Sequence, residues 1–212
     1  MITSDITVQQ AADYLSAHDP MLAPVIARFG LCTIRPHHDY YQALVSSIIS
    51  QQLSVKAART IKARFCALFG SEDLPTPEAI LTKNIDELRT AGLSRGKASY
   101  VLNLAEHVVD GSVSFDTLDS MSNDEIIREL TSVKGIGEWT VHMFLMFSMG
   151  RMDVLPHGDL GIKNGVKALY GLEQSPTPDD IMTIADTYQW HPYESIAAWY
   201  IWQSLDNDPA VT

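Results

Sequence analysis

Apolar residues along this chain recur at spacings of three and four, and most of the periodic runs open on a capping residue and several close on glycine, the punctuation of helices. Ser54 precedes VKAARTIKARFCALF and Gly70 follows it, while Ser94 precedes RGKASYVLNLAEHVVD and Gly111 follows it. Each stretch predicts one complete helix. In TPEAILTK and TPDDIMTIADTYQW a threonine takes the cap position and a proline the first helical position, where its missing N–H costs nothing. Ser122 and Glu125 have capping-box spacing at the head of SNDEIIREL. No alternating run or Asn-Gly hairpin signal argues for strands, and short apolar runs such as GLCTI stay ambiguous. The pattern predicts an all-α fold of roughly ten helices. Internal repeats and long Gly/Ser/Pro linkers are absent from the sequence, so the proline-containing stretches DLPTPEA and QSPTPDD are the best places to turn between sub-bundles.

Composition narrows the class. With 212 residues, 46% of them hydrophobic, the chain can build one or two cored domains without covalent staples. Cys32 and Cys66 have no metal-ligand spacing and no His or Cys cluster nearby, which argues against a disulfide framework or zinc site and for a reducing interior. The start, MITSDITVQQAADYLSAHD, lacks the pattern of a signal peptide, and no apolar run reaches the roughly 18 residues of a membrane span. A soluble protein is expected, cytoplasmic in a prokaryote or nuclear in a eukaryote, with no membrane partner. His37, His38 and Asp39 stand together without a distant partner and fit a surface turn better than a metal site.

The formal net charge of −11 speaks against nucleic acid, because counterion release needs local Lys or Arg. Distribution matters more than the sum. Basic residues gather at Lys56, Arg59, Lys62 and Arg64, at Arg95 and Lys97, and at Lys134, Lys163 and Lys167, whereas acids crowd into SNDE and TPDD. Each basic cluster reads either as a solvated helix face or as part of a polarised surface.

The stretch VKGIGEWTVHMFLMFSMG, residues 133–150, carries the first chemical signal. Gly135 and Gly137 allow crowded backbone, so successive N–H groups can form a small nest at the start of the helix that follows, with Lys134 beside it. A plain helix connection with glycine at the C-cap explains the same residues equally well. Farther on, Asp159 stands 20 positions beyond Trp139 and immediately before a new helical pattern. Taken alone it reads as an ordinary N-cap before it reads as a catalyst.

The order of these features is more specific than any one of them. Together with ALVSSIISQQLSVKAA (43–58), AGLSRGKASYVLNLA (91–105), DVLPHGDLGIKNGV (153–166) and WHPYESIAAWYIW (190–202), they resemble the helix-hairpin-helix DNA glycosylase superfamily, and within it the 3-methyladenine glycosylases in a compact form without an N-terminal β-domain. That resemblance implies a two-lobed helical fold with the hairpin near 122–149, a middle lobe over roughly residues 40–150 and a second lobe from roughly 1–39 and 151–212. It implies base excision from duplex DNA containing alkylated bases such as 3-methyladenine and 7-methylguanine, by a monomer that flips the damaged nucleotide out.

Residue by residue, the resemblance assigns Asp159 to catalysis and Trp139, Trp202, Met143, Leu160 and Tyr193 to the base pocket. It gives Lys134, Gly135, Gly137 and Lys163 to the DNA backbone, and Gln51, Gln52 or Leu53 to a wedge that fills the gap, with Gln52 preferred. The carbonyls of Thr131, Val133 and Ile136 are the implied ligands of a structural Na⁺ or K⁺, and no other cofactor is required. Trp139 stands where lyase members of the superfamily carry lysine, so hydrolysis without strand cleavage is expected. No cysteine follows Cys66, so no iron-sulfur cluster is expected. The chain departs from the pattern in two places: Glu194 replaces an arginine, and His157 and Gly158 precede the aspartate where an acidic residue often takes one of the two positions. Two alternatives stay open: a noncatalytic DNA-binding module, and the same chemistry on hypoxanthine, uracil or N1/N3-methylated bases.

Overall fold

The computed structural model describes residues 5–37 and 39–205. His38, one of the two adjacent histidines, lies outside them. The described residues hold twelve α-helices, one short 3-10 turn at Leu118–Ser120 and no strand. The GLCTI stretch is irregular, with Cys32 and Ile34 buried. In chain order the helices are α1 (Asp5–His18), α2 (Ala23–Phe29), α3 (Tyr40–Ser50), α4 (Val55–Ala67), α5 (Pro77–Leu81) and α6 (Ile85–Arg89). They continue with α7 (Arg95–Val109), α8 (Asn123–Thr131), α9 (Glu138–Phe147), α10 (Leu160–Leu169), α11 (Pro178–Thr187) and α12 (Glu194–Leu205). The five-residue helices α5 and α6 raise the number above the ten that the periodicity suggests. No helix among the described residues is long and apolar enough to cross a membrane.

Helix starts are fixed by local chemistry. Ser54, Thr76, Ser94, Ser122 and Thr177 each accept a hydrogen bond from the backbone N–H three residues on, and Ser122 with Glu125 closes a reciprocal capping box. Caps of this kind contribute about 1 kcal/mol each. Asn84 and Glu87 do the same for α6.

The chain divides into two compact units, one of Met1–His38 with Leu145–Thr212 and the other of Asp39–Phe144. The second division falls inside α9, and both proline-containing stretches lie within a unit. In the Asp39–Phe144 unit, α7 packs against α3, α5 and α6, burying Ala98, Val101, Leu104 and Ala105. Val133 and Ile136 bury the two ends of the turn between α8 and α9 in the same core.

In the other unit, α12 is the central helix, buried from Ser195 to Ile201. A buried carboxylate ties its loops together. Asp19 Oδ1 accepts from the amides of Met21 and Leu22, at 2.9 and 3.1 Å, and Oδ2 accepts from the Tyr170 hydroxyl and the Trp190 indole, at 2.5 and 2.7 Å. Four donors offset the cost of burying the group. Burial and Asp19 together push ionisation of the Tyr170 hydroxyl far above the ordinary tyrosine range.

Helices α10 and α12 meet through glycine. A Cβ on Gly165 would lie 2.4 Å from Ile201 Cγ2 and 3.0 Å from the Ile201 carbonyl oxygen, and the carbonyl belongs to the backbone of α12. Gly165→Ala is therefore expected to lower stability by about 1–3 kcal/mol through overpacking, although alanine gains up to about 1 kcal/mol of helix propensity. Thermal unfolding of the variant beside the parent checks this, and an unchanged or raised midpoint would mean that α10 has room to move.

Candidate nucleic-acid interface and catalytic carboxylate

Each unit carries one half of the predicted chemistry. In the Asp39–Phe144 unit the hairpin is α8, the turn Val133–Gly137, and α9. Ile136 N–H closes the turn on the Val133 carbonyl at 3.0 Å. Gly135 adopts φ +98°, and a Cβ there would fall 2.1 Å from Tyr100 Cγ, so both conformation and space demand glycine. At Gly137 the space is open. Among the described residues the amides of Gly135 and Gly137 meet no backbone or side-chain acceptor. The Lys134 amide is held by Asn103 Oδ1 at 2.8 Å, leaving its side chain exposed on the turn. This arrangement presents donors to an anion at the head of α9.

The loop Gln51–Leu53 is bound to that turn. Gln51 Nε2 donates to the Gly135 carbonyl at 3.0 Å, and Lys97 Nζ donates to the carbonyls of Ile49 and Gln51 at 2.8 and 2.6 Å. Burial holds the Lys97 ammonium below the usual lysine range. Gln52 is exposed with φ +57°, a left-handed backbone that costs a non-glycine residue energy, and Leu53 is exposed beside it. Gln51, Gln52, Gly135, Ile136 and Gly137 therefore line one cleft of about 540 Å³ together with Ser94, Gly96, Lys97 and Tyr100. Of the wedge candidates, Gln51 is engaged as a clamp, while Gln52 and Leu53 project. Trp139 is 47% exposed in the first turn of α9, and Met143 follows one turn later, half-buried.

α8 ends at Thr131, where carbonyl oxygens run out of helical donors, and the oxygen of Val133 in the turn keeps a lone pair beyond its bond to Ile136. Neutral carbonyl oxygens of this kind suit a hard monovalent cation. No cluster of three His, Cys, Asp or Glu that could hold a metal ion occurs among the described residues.

In the other unit Asp159 caps α10. Its Oδ1 accepts from the Ile162 amide at 2.9 Å and from the Trp202 indole N–H at 2.9 Å. These two donors fix one carboxylate oxygen at the head of the helix. Gly161 makes room for the indole: a Cβ there would lie 2.8 Å from Trp202 Nε1 and 3.0 Å from Asp159 Oδ1. The Trp202 ring stacks on Phe147, with centroids 5.9 Å apart and planes 27° from parallel. Leu160, next to the carboxylate in sequence, is 69% exposed, and Lys163 is half-buried one turn along α10. Tyr193 lies edge-on to Tyr14 at 5.2 Å.

The loop before Asp159 is pinned by buried Ser195. Its amide donates to the Met152 carbonyl at 2.9 Å, its hydroxyl donates to the Arg151 carbonyl at 2.8 Å, and that hydroxyl accepts from the Val154 amide at 3.1 Å. Sequence reasoning missed Phe147, Gly161, Lys97 and Ser195 as site residues. For Gly161 a signal existed, since Gly161 and Gly165 have the small-xxx-small spacing of a close helix contact.

Comparison with known proteins settles the family. A model described as the HhH-GPD superfamily base excision DNA repair protein matches residues 45–188. The chain belongs to this superfamily. Among curated HhH-GPD relatives, the alkylbase DNA glycosidase-like protein mag2 of Schizosaccharomyces pombe is 31% identical over 95% of this chain and 96% of its own length. DNA-3-methyladenine glycosylase 1 of the same organism is 36% identical over 77% of this chain and 72% of its own. Among solved structures, the DNA-3-methyladenine glycosidase of Bacillus halodurans superposes with TM-score 0.84 at 36% identity, covering 93% of this chain and 89% of that one. The Schizosaccharomyces pombe 3-methyladenine DNA glycosylase Mag1 in complex with abasic DNA gives 0.80 at 33% identity, covering 93% and 97%.

Glu194, which departs from the family pattern, sits in an acidic pocket. Burial, then Asp153, raises its carboxyl to about 7, with Asp186 adding to the rise and His191 opposing it. His191 Nδ1 contacts Asp153 Oδ2 at 2.7 Å. An acid whose pKa is raised in the folded state binds more protons there than in the unfolded chain, so its contribution to stability falls as pH rises between the ordinary 4.5 and about 7. Glu194→Gln should accordingly melt higher than the parent at pH 8, by about 2–4 °C after allowance for solvent screening, and this advantage should vanish near pH 5. Melting curves of both proteins across that range check it, and a pH-independent difference would show that Glu194 does not titrate as described.

Proposed function

We propose that this protein is a monofunctional DNA glycosylase that hydrolyses the N-glycosidic bond of alkylated bases in duplex DNA during base excision repair. The observation that carries the reading is the Asp159 carboxylate, held at the head of α10 by an amide and an indole N–H within a chain that matches the HhH-GPD family. The names of the relatives, alkylbase and 3-methyladenine glycosylases, support the substrate class.

The chemistry follows from the bond to be broken. Cleavage builds positive charge on the deoxyribose, and a fixed carboxylate lowers the energy of that oxocarbenium-like state and orients or deprotonates the attacking water. In the bases proposed as substrates, methylation at N3 of adenine or N7 of guanine puts positive charge on the ring. Such a base leaves readily without a strong general acid, so a single carboxylate is sufficient. A cationic ring stacked on indole gains on the order of 2 kcal/mol when desolvated, and a neutral base gains less. Trp202 supplies such a face beside the carboxylate, with Leu160 next to it. Trp139 and Met143 contribute the aromatic and apolar surface of their own unit, and Tyr193 shapes the start of α12.

Backbone amides at Gly135 and Gly137, with Lys134, hold a phosphate, and Lys163 adds positive charge beyond Asp159. A Na⁺ or K⁺ on the carbonyls of Thr131, Val133 and Ile136 would add positive charge to the same turn. Gln52 and Leu53 fill the gap left by the flipped nucleotide. With tryptophan at position 139 the chain offers no lysine there to form a Schiff base, so the product is an abasic site in an intact strand.

Asp159→Asn tests the reading, because asparagine keeps the oxygen that caps α10 and removes the charge. Base release from methylated duplex DNA is expected to fall on the order of 10²–10³-fold, with DNA binding retained. Release at the parental rate would remove Asp159 from the catalytic role. Strand cleavage, or borohydride trapping of the parent on DNA, would overturn the monofunctional assignment.

A further inference from the structure

The basic helix α4 is not accounted for by the hairpin, the carboxylate or the aromatic faces. Its thirteen residues, VKAARTIKARFCA, contain Lys56, Arg59, Lys62 and Arg64 and no acid, in a chain whose formal net charge is −11. Elsewhere in the same unit basic side chains are drawn to carboxylates: Lys83 to Glu87, and both Arg89 and Arg95 to Asp86. Among the described residues, no ion pair involves Lys56, Arg59, Lys62 or Arg64. Lys56, Arg59 and Arg64 are exposed, and Lys62 is half-buried on the flank. Phe65 and Cys66 face the core, so helical geometry puts Lys56, Arg59 and Arg64 on the solvent side around the small, exposed Ala63.

Position in the chain gives this face its direction. The projecting residues Gln52 and Leu53 lead through the cap Ser54 straight into α4, and Val55 at its first position is 87% exposed. The clamp of Gln51 on Gly135 fixes this entry to the hairpin turn. From Lys56 to Arg64 the helix rises about 12 Å at 1.5 Å per residue, the length over which one strand advances three to four nucleotides along a duplex axis at about 3.4 Å each. Lys56 and Arg59, three positions apart, are like charges at neighbouring positions on the helix, and an anion lying against them relieves their repulsion.

We propose that the exposed face of α4, Lys56, Arg59 and Arg64, is a second phosphodiester-binding surface that receives the backbone running away from the wedge. It supplies the long-range electrostatic share of DNA affinity in an otherwise acidic protein, while the amides of the hairpin turn supply the close contact. The inference rests on the glycosylase reading only in taking duplex DNA as the partner.

The salt dependence of binding tests it. The full chain, Arg59→Ala, the pair Arg59→Ala with Arg64→Ala, and the control Arg89→Ala are titrated with duplex DNA carrying a tetrahydrofuran abasic-site analogue over a range of KCl. Each lost phosphate contact should flatten the slope of log K against log salt by about 0.9, so the pair loses about 1.8, while Arg59→Lys and Arg89→Ala keep the parental slope. Melting curves confirm that the variants fold. A parental slope in the double variant, or an equal loss in Arg89→Ala, overturns the proposal, as does capture of an acidic protein by α4 with an unchanged DNA slope. Failure of the parent to release any base would count against the glycosylase reading alone, because the slopes are read from binding.

Discussion

One oxygen atom, Oδ1 of Asp159, receives both the amide that starts α10 and the indole N–H of α12. In the unit formed by Leu145–Thr212 with the N-terminal segment, that meeting joins α10 to the central helix α12. α12 approaches α10 closely because Gly161 and Gly165 have no Cβ on the contact face, and the loop carrying Asp159 is pinned to the start of α12 by Ser195. On the proposed mechanism packing and catalysis are coupled here: the contact that joins two helices also orients the carboxylate. A preorganised charge of this kind costs no rearrangement when positive charge develops on the sugar.

An acidic protein that acts on DNA faces an electrostatic conflict, which this chain resolves by local arrangement. Backbone amides carry no net charge, are unaffected by the protein's total, and are placed by the left-handed Gly135 and the close approach of Tyr100. The clamp from Gln51 and the bonds from Lys97 join this turn to the loop that enters α4, so the proposed phosphate grip and the proposed wedge belong to one framework. Net charge alone misleads because attraction is decided within about a Debye length, roughly 8–10 Å at ordinary salt.

Helix starts were legible in the sequence because capping chemistry is local: Ser54, Ser94, Ser122 and Thr177 act on amides three residues away. Asp159 was legible for the same reason, and its cap and its proposed chemistry prove compatible, since one oxygen serves α10 in either case. What the sequence hid is tertiary. Nothing in the local pattern says that Phe147 will stack on Trp202, that Gly161 must clear an indole, or that Tyr193 will turn toward Tyr14. Glu194 was visible as a departure from the family pattern, but its raised pKa comes from burial and from Asp153, 41 positions earlier in the chain.

The central claim is that the Trp202 indole N–H holds the Asp159 carboxylate for the chemical step, beyond any contribution of its ring to stacking. Trp202→Phe keeps an aromatic ring against Phe147 and removes only that donor, and single-turnover base release from 7-methylguanine duplex DNA isolates the step. A hydrogen bond to a charged group contributes about 1.5–3 kcal/mol, so the rate should be at least about tenfold lower with the dissociation constant for abasic DNA unchanged. A parental rate in Trp202→Phe would contradict it.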